Sequence, residues 1–246
     1  MIAELRGALG ASRTMVVTVA MATMIALTGL AAGSAEAAGP LEQDKAGASE
    51  NDIALITAAE KGDLEGVARG MRNGGGITAR DPRGRNALLA ATYGNHVAVA
   101  LFLMAAGSDV NAKDEQGNSA FLLAAAEGYT DIVKLTLRSG ADVKSTNRYG
   151  GTALIPAAHH GHVNVVRELL TAQVPIDHVN KLGWTALLEA IVLGDGGPKP
   201  IEIVKMLVAA KANVNLPDKD GVTPLAHAKK RGFPEMVKIL EAAGAK

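Results

Sequence analysis

Apolar and polar positions recur with a helical spacing along most of this chain. Residues 119–127 carry apolar side chains at helical spacing, and residues 131–139 repeat the arrangement. Gly128 lies between the two stretches, where it can adopt the left-handed conformation that ends a helix. Two short helices of this kind cannot bury their apolar faces alone, so neighbouring copies must stack. The pattern therefore predicts an all-α chain of stacked helical pairs.

A polar turn with Asp or Asn at its start and Gly three residues later precedes each helical pair. The Asx side chain of such a turn bonds its own backbone. The five turns begin at Asp81, Asp114, Asn147, Asn180 and Asp218. Their spacings are therefore 33, 33, 33 and 38 residues. A fixed period of this length is the signature of a repeat architecture.

Two apolar columns keep the same register after every turn. The first column is Leu88, Phe121, Leu154, Leu187 and Leu225. The second, three residues later, is Ala91, Ala124, Ala157, Ala190 and Ala228. Alanine lets the first helices of successive units approach closely, and the larger column fills the space to the next unit. We expect both columns to be buried.

These motifs resemble the ankyrin repeat family. The resemblance covers residues 51–246 and is clearest in Asn147–His162 (NRYGGTALIPAAHHGH) and Asp218–Leu225 (DKDGVTPL). It implies an all-α ankyrin solenoid of about six helix-turn-helix units with short β-hairpin turns. The expected units are 51–80, 81–113, 114–146, 147–179, 180–217 and 218–246, the first and last being caps.

Several positions depart from the family pattern. Asn95, Gln173 and Lys211 stand where a left-handed glycine is usual. The segment Asp195–Pro200 (DGGPKP) accounts for the longer fifth unit. We interpret this segment as an inserted loop, because it connects two helices rather than a strand to a helix as a phosphate loop would.

The first 37 residues have the pattern of a secretory signal peptide. Arg6 and Arg13 precede an uncharged stretch from Thr14 to Ala35, and Ala35-Glu36-Ala37 is a small-x-small cleavage pattern. We expect cleavage between Ala37 and Ala38, followed by a linker over residues 38–50. The alternative is an uncleaved inner-membrane anchor facing the periplasm. Either reading predicts a bacterial protein exported to the periplasm or secreted.

The amino-acid composition argues against several classes of function. The 25 basic and 25 acidic side chains cancel, which argues against nucleic-acid binding because that needs a basic surface. There is no cysteine, so disulfides, thiolate metal sites and a cysteine nucleophile are excluded. The chain carries no nucleotide-binding or hydrolase motif. We therefore expect a non-enzymatic protein without a cofactor.

The histidines in His159-His160-x-His162 form the densest group of metal-capable side chains. No carboxylate or fourth histidine sits at ligand spacing in the sequence, so a metal site is the weaker reading. His162 and His96 fall on the Gly-His position of the family, where the resemblance implies a structural role.

The resemblance also indicates where a partner protein would bind. In ankyrin domains the turn tips and the exposed sides of the first helices form a concave recognition face. The candidate residues are Arg83, Arg85, Tyr93, Arg148, Tyr149, His159, His160, Lys181, Leu182, Trp184, Val192 and Leu193. Tyr, Trp and Arg dominate binding hot spots, so we expect Trp184 at the centre of the contact.

The sequence thus predicts a periplasmic module that binds another protein. Two alternatives remain open. One is a dedicated immunity or protective partner that forms a stoichiometric complex with one enzyme or toxin. The other is a metal-binding protein that uses His159 and His160. Contact with a membrane is expected only if the N-terminal segment is retained as an anchor.

Overall fold

The structure is a computed structural model that describes residues 48–246. The expected signal peptide, its predicted cleavage between Ala37 and Ala38, and residues 38–47 of the expected linker lie outside the described residues. From residue 48 onward, no helix has the length and apolarity needed to cross a bilayer.

The described chain forms twelve helices, arranged as six successive pairs. They are α1 (Glu50–Glu60), α2 (Leu64–Arg72), α3 (Ala87–Tyr93), α4 (Val97–Ala105), α5 (Ala120–Glu127), α6 (Thr130–Arg138), α7 (Leu154–His159), α8 (Val163–Thr171), α9 (Ala186–Val192), α10 (Pro198–Ala209), α11 (Pro224–Lys230) and α12 (Pro234–Ala242). Each expected unit contributes one pair, which confirms the predicted all-α solenoid.

The pairs stack in two layers. The first helices pack in the order α1, α3, α5, α7, α9 and α11, and the second helices follow the order α2, α4, α6, α8, α10 and α12. Both predicted columns lie on the first helices, and every member of both is buried. The alanine column is completely inaccessible to solvent, which allows the close approach of the first helices.

Each unit begins with the predicted Asx turn. In the second unit, Oδ1 of Asp81 accepts hydrogen bonds from the backbone N–H groups of Arg83 and Arg85, both at 2.9 Å. The N–H of Asp81 also bonds the carbonyl of Arg85 at 3.0 Å. These bonds make a tight hairpin-like turn, although no strand is assigned within residues 48–246.

The three residues that replace glycine adopt the left-handed conformation expected at their positions. Asn95, Gln173 and Lys211 have φ angles of 54°, 56° and 70°, and they are the non-glycine residues with positive φ between residues 48 and 246. Asn tolerates this left-handed region, whereas the side chains of Gln173 and Lys211 crowd their own backbone there, so these two positions are strained.

Histidines tie successive units together. Nε2 of His96 lies 3.0 Å from the carbonyl oxygen of Glu60, and Nε2 of His162 lies 3.0 Å from that of Ala126. Each bond joins the start of a second helix to the unit before it. This supports the structural role that the resemblance implies for the Gly-His position.

The inserted segment of the fifth unit is held by the unit that follows. Nη2 of Arg231 donates to the carbonyl of Gly194 at 2.7 Å, and its guanidinium lies 4.8 Å from the ring centre of Phe233. Gly196 has a φ of 73° and its backbone lies against that ring. The insertion is therefore an anchored loop that leads into α10.

Candidate functional site

One groove, with a volume of about 490 Å³, crosses the second to fifth units. It lies between the turns and the C-terminal ends of the first helices. Its lining is Tyr93, Gln116, Asn118, Leu123, Ala126, Glu127, Asn147, Arg148, Tyr149, Gly151, Ile155, Pro156, His159, His160, Asn180, Leu182, Glu189 and Leu193. We call this surface the central groove.

Tyr93, the last residue of α3, is fixed at one end of the central groove. Its hydroxyl donates to Oδ2 of Asp114 at 2.9 Å and accepts from Nδ2 of Asn118 at 3.3 Å. Partial burial and the bond to Asp114 raise the pKa of the Tyr93 hydroxyl above its ordinary value. The ring therefore presents a neutral face whose orientation is set by the next unit.

Tyr149 lies at the tip of the fourth unit and is the most prominent aromatic ring of the groove, with 51% of its surface exposed. The guanidinium of Arg148 lies 4.8 Å from the ring centre, and its Nη2 donates to the Tyr149 hydroxyl at 2.8 Å. Nη1 of Arg148 is 3.4 Å from Oε1 of Gln116. Arg148 thus holds the exposed ring in place.

A histidine and a carboxylate from neighbouring units meet on the floor of the groove. Nδ1 of His159 lies 3.4 Å from Oε2 of Glu189, whose other oxygen accepts from Nδ2 of Asn180 at 3.0 Å. Burial raises the pKa of the Glu189 carboxyl, and the Asn180 bond opposes that rise. Burial and the neighbouring His160 lower the pKa of His159, so its neutral form is favoured. The ring of His160 stacks on that of His159 at 4.4 Å.

The structure gathers seven of the twelve predicted contact residues into this groove. They are Tyr93, Arg148, Tyr149, His159, His160, Leu182 and Leu193. Six of these seven, all except Tyr93, come from the fourth and fifth units, so aromatic and aliphatic side chains of both units line the groove.

Arg85 does not belong to an exposed recognition face. Only 3% of its surface is accessible, because its guanidinium pairs with Asp81 at 2.7 Å and with Glu60 at 2.9 Å. The expectation for Arg85 was wrong, since the side chain turns back along its own turn and joins it to the first unit.

Trp184 was expected at the centre of the contact surface, but it does not line the central groove. It is partly buried, and its position corresponds to Arg85 and Gly151, which are both buried. The aligned Asn118 and Val222 are partly buried as well, so this position of the turn is not a fully exposed one.

Three other candidates lie outside the groove as well. Val192 is partly buried and does not line it. Nζ of Lys181 is exposed but donates to the carbonyl of Arg148 at 2.9 Å. Arg83, although exposed, is paired with Glu60 at 3.0 Å in the first units.

Glu189 is a buried groove residue that sequence reasoning missed. The aligned positions in the other full units hold Ala90, Leu123, Pro156 and His227, so a carboxylate here breaks an otherwise mostly apolar pattern. This exception to the apolar pattern was the feature of the sequence that could have identified Glu189. It also places a carboxylate beside His159, which sequence spacing had not indicated. Across residues 48–246, however, no three His, Cys, Asp or Glu side chains are grouped as a metal site requires.

Comparisons with known proteins agree with this architecture. Residues 121–218 match a model described as ankyrin repeats (3 copies), and residues 88–135 match one described as ankyrin repeats (many copies). The chain is 53% identical over 57 residues to the ankyrin repeat protein YahD of Escherichia coli (strain K12). That match spans 23% of this chain and 28% of the relative.

Solved structures match over a longer range. An ankyrin repeat domain from Acinetobacter baumannii AYE is 53% identical with a TM-score of 0.76, over 78% of this chain and 98% of that one. The ankyrin repeat protein EF0377 is 34% identical with a TM-score of 0.74, over 77% and 97% of the two chains. With this identity over nearly the whole of both domains, the chain belongs to the ankyrin repeat family.

Proposed function

We propose that this chain is an exported, periplasmic interaction module that holds a partner protein in the central groove and performs no chemistry on it. Ankyrin repeat domains generally mediate protein–protein interactions and are typically non-enzymatic. The proposal requires no cofactor.

The distribution of exposed apolar side chains supports the choice of surface. Within residues 48–246, seven large hydrophobic side chains are exposed: Ile53, Tyr93, Leu101, Tyr149, Val179, Leu182 and Leu193. Four of these seven line the central groove. Contiguous exposed apolar surface of this kind marks interaction sites, whereas scattered single residues do not.

Affinity capture from a periplasmic extract tests the surface. The variants are Tyr149→Ser and Leu182→Ser in the groove, with Leu101→Ser as the matched control. Leu101 is exposed to a similar degree but lies on α4, outside the groove. We expect the groove variants to lose the captured protein and the control to retain it. Equal capture by all three, with unchanged unfolding midpoints, would place the contact elsewhere.

The same capture distinguishes a general module from a dedicated immunity or protective partner. A dedicated partner gives one stoichiometric complex with a single enzyme or toxin, and the gene for that protein is expected nearby. Several partners that compete for the groove would favour a general module.

Export is tested on the processed protein. Mass spectrometry of the periplasmic fraction should find an N-terminus at Ala38. Recovery of the chain in the membrane fraction with Met15–Leu30 retained would replace cleavage by anchoring.

A further inference from the structure

Two carboxylates of the central groove lie where the fold disfavours a negative charge. Glu127 is the last residue of α5, at the negative end of the helix dipole. Its side chain is exposed, and among the described residues it joins no ion pair. A carboxylate at this position is a cost to the isolated helix.

A negative charge on Glu189 is also unfavourable to the fold. The residue is only 5% exposed, yet no lysine or arginine pairs with it within residues 48–246. Its Oε1 is occupied by Asn180, while Oε2 has His159 at 3.4 Å, a distance too long for a good hydrogen bond. A buried carboxylate with spare acceptor capacity is unfavourable unless a donor reaches it.

The arginine that lines the groove does not neutralise either carboxylate. Arg148 is occupied by the ring and hydroxyl of Tyr149 and by Gln116. The lining contains two glutamates and one arginine, so its net charge is negative, and neither glutamate pairs with a lysine or arginine of residues 48–246. Residues that lower stability without a structural gain are characteristic of binding sites.

We propose that the central groove selects an extended partner segment that carries both basic and aliphatic side chains. The basic side chains pair with Glu127 and Glu189, and the aliphatic ones lie against Tyr149, Leu182 and Leu193. This inference rests on the proposed function, because it names the chemistry of the partner that the groove holds.

The course of the groove explains why the segment is extended. Its lining residues come from four successive units, with Tyr93 at one end and Leu193 at the other. Glu127 belongs to the third unit and Glu189 to the fifth, with the exposed ring of Tyr149 between them along the stack. A compact ligand would contact one carboxylate, whereas an extended chain crosses both.

Short, terminally blocked, dye-labelled peptides provide the test, with binding measured by fluorescence anisotropy. The three peptides contain leucine and glycine in the same positions and differ only in their remaining residues, which are lysine, glutamine or glutamate. We expect the lysine peptide to bind most tightly and the glutamate peptide not to bind. Glu127→Gln should weaken the lysine peptide about two- to fivefold, as for an exposed ion pair. Glu189→Gln should weaken it by about tenfold or more, because this carboxylate is desolvated.

Glu202→Gln is the matched control. It removes the same charge from an exposed position on α10, outside the groove, and should leave the affinity unchanged. The glutamine peptide should bind all four proteins with equal affinity. This comparison separates the loss of a charge pair from a change in groove shape.

Two results would overturn the inference. One is equal binding of the lysine and glutamine peptides by the wild-type protein. The other is an unchanged affinity for the lysine peptide in Glu127→Gln and Glu189→Gln. Neither result would contradict the proposed function. The proposed function fails only if Tyr149→Ser and Leu182→Ser retain the captured protein.

Discussion

Arg85 and Asp81 lie at opposite ends of one five-residue turn, with Nε of Arg85 2.7 Å from Oδ2 of Asp81. The same guanidinium reaches Glu60 of the preceding unit at 2.9 Å. One buried cation therefore closes its own turn and joins the first two units.

Replacement of Arg85 by Ala should destabilise the fold. The change leaves Asp81, which is itself nearly buried, without its strongest donor, so we expect a loss of about 1–3 kcal/mol in the free energy of unfolding. Denaturant titration measures the loss. Arg83→Ala is the control, because its side chain is 63% exposed and should contribute less than about 1 kcal/mol. Equal effects of the two changes would contradict the structural role of Arg85.

Leu154 and Leu225 occupy the same column in a central and a terminal unit, and both are buried. Leu154→Ala should cost about 2–5 kcal/mol through lost burial and a cavity. Leu225→Ala should cost less, because the last unit has a neighbour on one side only. Denaturant titration of both variants provides the comparison. An equal or larger loss at Leu225 would argue against stabilisation by neighbouring units.

Acidification should weaken the fold through His162. Burial, opposed in part by the bond to Ala126, lowers the pKa of His162 below its ordinary value of 6.5, with further effects from His160, Glu127 and Lys199. The unfolded chain therefore binds more protons than the folded chain between the two pKa values. Stability is complete above pH 6.5 and falls as the pH drops through the folded-state pKa of His162.

Unfolding midpoints measured on both sides of that window test this dependence. His162→Gln should reduce the pH slope, and the double variant with His159→Gln should reduce it further, because burial lowers the pKa of His159 as well. A slope that is identical in the wild type and both variants would show that these histidines are not its source.

Gln173→Gly should stabilise the protein. The φ of 56° at this position is strained for a side chain, and relief of that strain outweighs the greater freedom of glycine in the unfolded state. We expect a gain of about 0.5–1 kcal/mol in the free energy of unfolding. The adjacent Ala172→Gly is a matched control with the opposite sign, because its φ of −79° suits alanine. A loss of stability in Gln173→Gly would contradict this account.

The fold could be predicted from the sequence because each unit repeats the same local signals. Every full unit repeats an Asx turn, the apolar column represented by Leu154 and the alanine column represented by Ala157. A residue that departs from the pattern in one unit is therefore outweighed by the same positions in the other units. The positive φ of Lys211 follows for the same reason, since its position in the repeat demands it.

The site could be predicted only in part. Position in the repeat identified Tyr149 and Leu182, whose exposure follows from the turn tip. It failed for Arg85, because a side chain in the turn can point inward when it has charged partners there. Trp184, also expected in the contact surface, is partly buried and does not line the groove. The contact of His159 with Glu189 joins residues of different units, and a single sequence carries no record of that pairing.

The anchored insertion before α10 lengthens the fifth unit without changing how that unit stacks on its neighbours. Lys181 reaches back 33 residues to the carbonyl of Arg148, and Lys219 makes the equivalent bond to Lys181 across 38 residues. The turn-to-turn register is thus kept although five residues have been added. Evolution, or a protein engineer, can therefore vary this loop beside the groove as an independent module, and change what the repeat recognises while the solenoid that carries it stays the same.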